Sequence, residues 1–274
     1  MTTTDALVPP DAMIAENSGD IDRQAYIRSG AEVVNQAIIQ HAGLKPHQKF
    51  LDVGCGCAKV ARPLVAYLSP AGEYHGIDVV GECIDWCRST YRDYPNFKFH
   101  HADLFNTRYN QTGASPASTY KFPVPSNYFD VAFLGSVFTH LLPAEVRNYL
   151  AELARVLKPG GRVLATFFVL NDISMANVKA AVTAPAFPYL LPRGAGCRVQ
   201  NLECPEAAIA YEESYVRKIY PKAGLELQEL VYGQWGREKL IPHWQDAVWA
   251  RKTSGPAKFT VRGLMRRLFR HSSP

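Results

Sequence analysis

The nine residues Phe50-Leu51-Asp52-Val53-Gly54-Cys55-Gly56-Cys57-Ala58 constrain this chain more than any other stretch. Phe50, Leu51 and Val53 supply the apolar run of a short strand covered on both faces. Gly54 and Gly56 follow, permitting a sharp turn and close approach of a ligand to the main chain. Lys59 to Leu68 then carries Val60, Leu64, Val65 and Leu68 at helical spacing. Strand, glycine turn and helix in succession predict an α/β protein with a ligand beside the turn.

The turn is not a dinucleotide fingerprint. Lys59 stands where the third glycine of G-x-G-x-x-G would fall. Asp52, at the strand end, would repel a pyrophosphate and attract a ligand with cationic groups. S-adenosylmethionine fits that demand, with its ammonium, sulfonium and ribose hydroxyls.

With 274 residues, 47% of them hydrophobic, the chain has ample core for one large domain or a domain with an elaborated cap. No apolar run is long enough to span a bilayer. The N-terminus holds Asp5, Asp11, Glu16, Asp20 and Asp22 before its first basic residue, Arg23, unlike a secretory or transit peptide. The six cysteines, Cys55, Cys57, Cys83, Cys87, Cys197 and Cys204, lack disulfide-framework or zinc spacing. Cys83 and Cys87 share a helical face and read as small core residues. A cytoplasmic protein with reduced thiols is the expectation.

The net charge of +5 is unevenly placed: seven Lys or Arg and no acid follow from Arg251 onward. The first 250 residues are therefore near neutral, which argues against a nucleic-acid partner with its need for a broad basic face. Residues 253–274 set Phe259, Val261, Leu264, Met265, Leu268 and Phe269 among arginines, the pattern of a short basic amphipathic helix. Such a tail offers at most weak contact with the inner face of a membrane.

Residues 1–20 are polar, acidic and proline-bearing, and are expected to be loosely attached. The domain proper is expected over 21–252. Asp20 or Asp22 caps a helix reaching about His41, ended by Gly43. Glu73 to Val79 reads as a second strand tipped by Asp78, one strand-helix-strand repeat after Asp52. A carboxylate there suits both hydroxyls of a ribose, with an N-cap role as the alternative. Phe97 to Leu104 reads as a third strand with Asp103 at its carboxyl end, where an acceptor would meet an adenine amine. His100 and His101 point to opposite faces and so form no joint site.

The irregular segment 105–127, carrying Tyr109 and Tyr120, leaves the ligand end of the sheet and is expected to act as a substrate lid. Phe129 to Ser136 is the next buried strand. His140 follows it at the ligand edge, Pro143 opens a helix to about Leu157, and Lys158-Pro159-Gly160-Gly161 stops it. Arg162 to Leu170 is another buried strand. Residues 171–214 lose the strand-helix rhythm and are expected to form an inserted substrate cap. Leu225 to Tyr232 and Asp246 to Arg251 are the last two strands, joined by a loop that contains His243.

Taken together, these pieces resemble the class I S-adenosylmethionine-dependent methyltransferases. The resemblance rests on Leu51-Asp52-Val53-Gly54-Cys55-Gly56, Gly76-Ile77-Asp78, Asp103-Leu104, Phe129-Asp130-Val131-Ala132-Phe133 and Leu153 through Gly161. It is close over about 47–170 and looser to 252. It implies a Rossmann-like α/β fold: a seven-stranded, mostly parallel sheet, the last strand antiparallel, with helices on both faces. It also implies a cofactor site in which Asp52, Gly54, Cys55 and Gly56 hold the methionine end. Asp78 and Val79 would hold the ribose, Asp103 and Leu104 the adenine, and Gly135 would lie beside them. Ala58 departs from relatives, which often have glycine there; an alanine suits a negative φ.

The Ser136-Val137-Phe138-Thr139-His140-Leu141 run looks like that of bacterial small-molecule and saccharide methyltransferases. That implies O-methylation of a small hydroxylated acceptor, a sugar or glycolipid included. His140 is the candidate base for the acceptor hydroxyl; its structural alternative is packing against the cofactor or capping a helix. Tyr109, Tyr120 and His243 are weaker acceptor-side candidates. No residue cluster suggests a metal. The rival readings are a non-catalytic cofactor-binding partner subunit, which the intact acids and glycines disfavour, and an NAD-dependent reductase, which Asp52 and Lys59 disfavour.

Overall fold

Phe50 and Leu51 lie next to each other on one strand and are both fully buried on opposite faces. A strand of this kind must sit inside a sheet covered on both sides. The computed structural model, which describes residues 5–18, 22–191, 196–236 and 245–253, places it at the centre of a seven-stranded sheet. The strands are β1 (Lys49–Val53), β2 (Glu73–Asp78), β3 (Phe97–His101), β4 (Phe129–Leu134), β5 (Leu157–Phe167), β6 (Leu225–Val231) and β7 (Asp246–Lys252). Their order is β6-β7-β5-β4-β1-β2-β3. All neighbours run parallel except β7, which is antiparallel to both β5 and β6. The expected fold class is the one found.

Helices α1 (Asp11–Asn17), α2 (Arg23–Glu32), α3 (Ala61–Leu64) and α4 (Gly81–Thr90) come before β3 in the chain. Asp22 caps α2 by accepting from Ala25 N–H at 2.7 Å. The helix continues as a π-helical stretch, Val33–His41, and the chain leaves it through Gly43 at φ 64°. Val34 and Ile38 from that stretch join Phe50, Leu64, Tyr74 and Ile84 on one face of the sheet. Helix α5 (Pro143–Val156) starts at Pro143, with Glu145 accepting from Leu142 N–H at 2.7 Å. Its Val146, Leu150 and Leu153 pack with Leu51, Val53 and Leu134 on the other face. Each such side chain contributes roughly 1.5–3 kcal/mol by leaving water.

Several expectations change in the structure. The helix after the glycine turn is only Ala61–Leu64, flanked by turns. Residues 5–18 are not loose: Leu7, Met13 and Ile14 are buried, because three apolar side chains among the acids have a surface to cover. Residues 171–214 are no irregular cap. They hold α6 (Asp172–Lys179) and most of a second, four-stranded sheet built from Val169–Leu170, Ile209–Glu212, Cys197–Val199 and Tyr189–Leu190. That sheet has its own core of Phe168, Leu170, Phe187, Ala208, Ala210 and Trp235. Helix α7 (Glu213–Lys222) then leads back to β6. Cys57 and Cys83, expected as thiols, form a disulfide with Cα atoms 4.8 Å apart, within ordinary bridging distance. The basic tail lies outside the described residues. No helix among the described residues is long and apolar enough to cross a membrane.

Asp246, at the start of β7, joins the two sheets. Its buried carboxylate accepts from Val169 N–H (2.6 Å), Gly233 N–H (2.7 Å) and the Trp235 indole (2.5 Å). Replacing it by alanine orphans three buried donors, each worth about 1 kcal/mol or more. Asp246→Ala should lose about 3 kcal/mol, read as a lower urea midpoint with an unchanged slope. A loss under about 1 kcal/mol would mean the sheets are held by Phe168 and Trp235 packing instead.

Candidate functional site

The cofactor turn is a product of two strand tips. Gly54 and Gly56 have φ of 78° and 49°, the left-handed region open to glycine. This lets Gly54 N–H and Cys55 N–H both reach the Ile77 carbonyl, at 2.7 and 3.2 Å. A Cβ on Gly54 would lie 2.4 Å from Val137 Cγ2, so the site also needs glycine on steric grounds. Ala58 has φ 68°, not the negative value expected of an alanine, and is fully buried.

Asp78 sits at the tip of β2. Its Oδ2 accepts from Gly56 N–H (2.7 Å) and its Oδ1 from Val80 N–H (2.9 Å). A carboxylate has about four acceptor positions, so capacity remains for a ribose hydroxyl beside these backbone donors. Val80, not Asp78, occupies the N-cap position of α4, which makes no side-chain cap. Burial raises the Asp78 pKa, with the backbone donors pulling it back. Asp52 is buried, where Asp78 is half-buried, and accepts from the Tyr74 hydroxyl at 2.7 Å. Burial pushes its carboxyl up to about 7, opposed by the Tyr74 hydrogen bond. A buried and a half-buried carboxylate beside a glycine cradle fit a ligand that brings an ammonium and a pair of hydroxyls.

These groups line one cavity of about 1160 Å³. Pockets for a single small ligand span roughly 300–1,000 Å³, so there is room for a cofactor and a second molecule. Asp52, Gly54, Cys55, Gly56, Asp78, Val79, Gly135, Tyr109 and His140 all border it. Asp103 and Leu104 do not: Ala102 takes that place, Leu104 is buried in the core, and the exposed Asp103 carboxylate accepts from Asn110 Nδ2 at 3.2 Å. Tyr120 is also elsewhere, packed with Phe122 beside α5. His243 lies outside the described residues. Of segment 105–127, only the first part borders the cavity, through Asn106, Arg108 and Tyr109. There Asn106 Oδ1 accepts from Arg108 and Tyr109 N–H, both at 3.0 Å, and holds those residues at the cavity.

His140 Nδ1 lies 2.9 Å from the Glu206 carbonyl oxygen, so Nδ1 carries the proton and Nε2 the lone pair. Desolvation lowers its pKa, partly offset by that hydrogen bond, and keeps the ring neutral. The Tyr109 ring stands edge-on to it, centroids 5.4 Å apart. Segment 171–214 reaches the site through the Glu206 carbonyl and through the Tyr211 hydroxyl, which donates to the carbonyl of the cavity-lining Leu141; no described residue of that segment lines the cavity itself. The cover comes instead from the N-terminal helices, through Asn17, Ser29, Glu32 and Gln36. Tyr26 O–H anchors them to the turn by donating to the Cys57 carbonyl at 2.7 Å. The signal available for this was Tyr26 itself, an aromatic among the apolar positions of α2.

The Asp52 environment sets a pH dependence. Only the ionised carboxylate attracts an ammonium, so affinity for S-adenosylhomocysteine should be flat above about pH 7 and fall up to tenfold per unit below it. Titration from pH 5.5 to 8.5 checks this, and Asp52→Asn should flatten the profile. A wild-type profile that is flat through pH 6 would mean Asp52 does not meet the ligand's cation.

Residues 51–165 match the family model described as Methyltransferase domain. The tRNA N(3)-cytidine methyltransferase METTL2 of Gallus gallus is 26% identical over 202 residues, 72% of this chain and 48% of that protein. The ubiquinone/menaquinone biosynthesis C-methyltransferase UbiE of Cupriavidus taiwanensis is 26% identical over 158 residues, 58% of each. The chain thus spans about half the length of these curated relatives. The crystal structure of a SAM-dependent methyltransferase from Methanosarcina mazei shares the fold, with a TM-score of 0.51 at 20% identity over 79% of this chain and 97% of that one. The fold, the glycine cradle and the paired strand-tip acids agree with this match to a methyltransferase domain, which covers residues 51–165, under half of the chain.

Proposed function

We propose that the protein transfers a methyl group from S-adenosylmethionine to a hydroxyl of a small molecule or saccharide, a glycolipid included. The observation that carries this reading is a single cavity with room for two ligands, bordered by Asp52, Asp78 and His140, whose Nδ1–H donates to the Glu206 carbonyl and so leaves Nε2 unprotonated. S-adenosylmethionine, when bound, supplies an electrophilic methyl carbon whose bond to sulfur breaks with its electron pair going to sulfur. The protein positions both partners. His140 takes the hydroxyl proton on Nε2 as the new bond forms, its tautomer fixed by the Glu206 carbonyl. Its depressed pKa makes it a modest base, but one that stays unprotonated through neutral pH. The near-neutral body supports a small acceptor over a nucleic acid. Carbon methylation is the second reading, favoured by the several UbiE C-methyltransferases among the relatives.

Calorimetric titration separates an S-adenosylmethionine-binding protein from an NAD-dependent reductase, and turnover separates the enzyme from a non-catalytic binding subunit. S-adenosylmethionine and S-adenosylhomocysteine should bind and NAD should not. Asp78→Ala should weaken the adenosyl ligands at least tenfold, since hydrogen bonds to a charged group contribute about 1.5–3 kcal/mol. Failure of both adenosyl ligands to bind would sink the reading.

For the base, His140→Asn should lower turnover about 100-fold while S-adenosylhomocysteine affinity stays within twofold. Near-normal turnover would remove His140 from the chemistry. Identification of the methylated atom in the product then decides between oxygen and carbon.

A further inference from the structure

The cavity does not end at the cofactor turn. Five residues in register form one row across the sheet: Asp52 faces Phe133, then Leu164, Trp249 and Glu229 on successive strands. All five border the cavity. Four strand spacings of about 4.8 Å make this row roughly 19 Å long. Its three middle residues are apolar, so the floor is hydrocarbon from the cofactor end almost to the sheet edge. The opposite wall is the π-helical stretch, with Val33 and Ala37 bordering the same space. π-helical turns are rare and concentrate at functional sites.

Two features define what this trough can hold. Ala37 on the π-helical stretch and Ala247 on β7 both border it, and their small side chains leave space that larger apolar residues would fill. The polar groups beside the floor are already engaged: Thr166 Oγ1 donates to Gln245 Oε1 at 2.5 Å and accepts from Ser136 N–H at 2.7 Å. At the outer mouth, His41 stacks on Trp249 with centroids 4.2 Å apart, and its Nε2 lies 3.2 Å from Glu229. Glu32 also borders the space. These acids disfavour a chain ending in a carboxylate.

We propose that this trough takes the uncharged hydrocarbon tail of an amphiphilic acceptor, alkyl or isoprenoid, whose polar head lies between His140 and the cofactor cradle. The trough opens directly into the cleft where the methyl group is presented, so the two ends of one molecule occupy both at once. The proposal rests on the methyltransferase reading above and narrows its acceptor to a lipid-tailed compound.

The test compares decyl-β-maltoside, below its micelle-forming concentration, with maltose, by calorimetry on the full chain with and without saturating S-adenosylhomocysteine. The detergent should bind at least tenfold more tightly than maltose. Ala37→Trp and Ala247→Phe, which fill that space from the π-helical stretch and from β7, should each weaken it at least tenfold while S-adenosylhomocysteine affinity stays within twofold. Equal binding of detergent and maltose overturns the proposal. So does detergent binding that survives both substitutions in protein that still binds S-adenosylhomocysteine. Occupation by a second copy of the chain would show as no detergent binding and a dimer that Ala37→Trp converts to monomer in sedimentation; that also overturns it. If S-adenosylhomocysteine never binds, the methyltransferase reading fails, while detergent binding to the ligand-free protein still decides the trough.

Discussion

The hydrogen bond from Gly56 N–H to the Asp78 carboxylate fixes the geometry on which the rest of the site depends. It ties the turn after β1 to the tip of β2, beside the two amides that converge on the Ile77 carbonyl. Buried backbone donors must find partners, and here they find them across the strand boundary instead of within a helix. The carboxylate is thereby held in place at the border of the cavity. A different φ at residue 54 or 56 would release both the turn and the acid.

Local order was legible in the sequence because its causes are local. Strand, glycine turn and strand-tip acid follow from Leu51, Gly54, Gly56 and Asp78, and from the period that separates them. The Asp22 cap and the Pro143 helix start are equally local. Asp103 and Tyr120 show the limit. Both sit at positions a linear reading assigns to the site, but Asn110 holds the Asp103 carboxylate outside, and Phe122 and the α5 face draw Tyr120 toward the core. Side-chain direction there is set by contacts that no spacing encodes.

The cover was misassigned for the same kind of reason. Residues 171–214 break the strand-helix rhythm, which marks an insertion but not its location. They pack as a second sheet around Phe187 and Trp235 and support the site from behind, through the Glu206 carbonyl on His140 and the Tyr211 hydroxyl on the Leu141 carbonyl. The acidic N-terminus reads as loose by composition, but Leu7, Met13 and Ile14 find apolar surface, and Tyr26 finds the Cys57 carbonyl. A few well-placed apolar groups outweigh the polarity of the segment that carries them. The trough is less legible still, since its row of five residues comes from five strands spread from Asp52 to Trp249.

Ala58 shows how a rule broken locally is held by its surroundings. An L-residue in the left-handed region costs about 1–2 kcal/mol, and a buried methyl returns about 0.8 kcal/mol. That leaves a small deficit at a fully buried position packed among Val60, Leu64 and Phe50. The neighbouring residue supplies the remainder. Cys57 is held from one side by the Tyr26 hydroxyl on α2 and from the other by its disulfide to Cys83 on α4. With the backbone fixed on both sides, φ at residue 58 is set by its neighbours and not by its own preference. Alanine is therefore tolerated where glycine would be the easier choice, and the turn keeps its shape because α2 and α4 both grip it. The N-terminal cover is for that reason part of the cofactor site, not an addition to it.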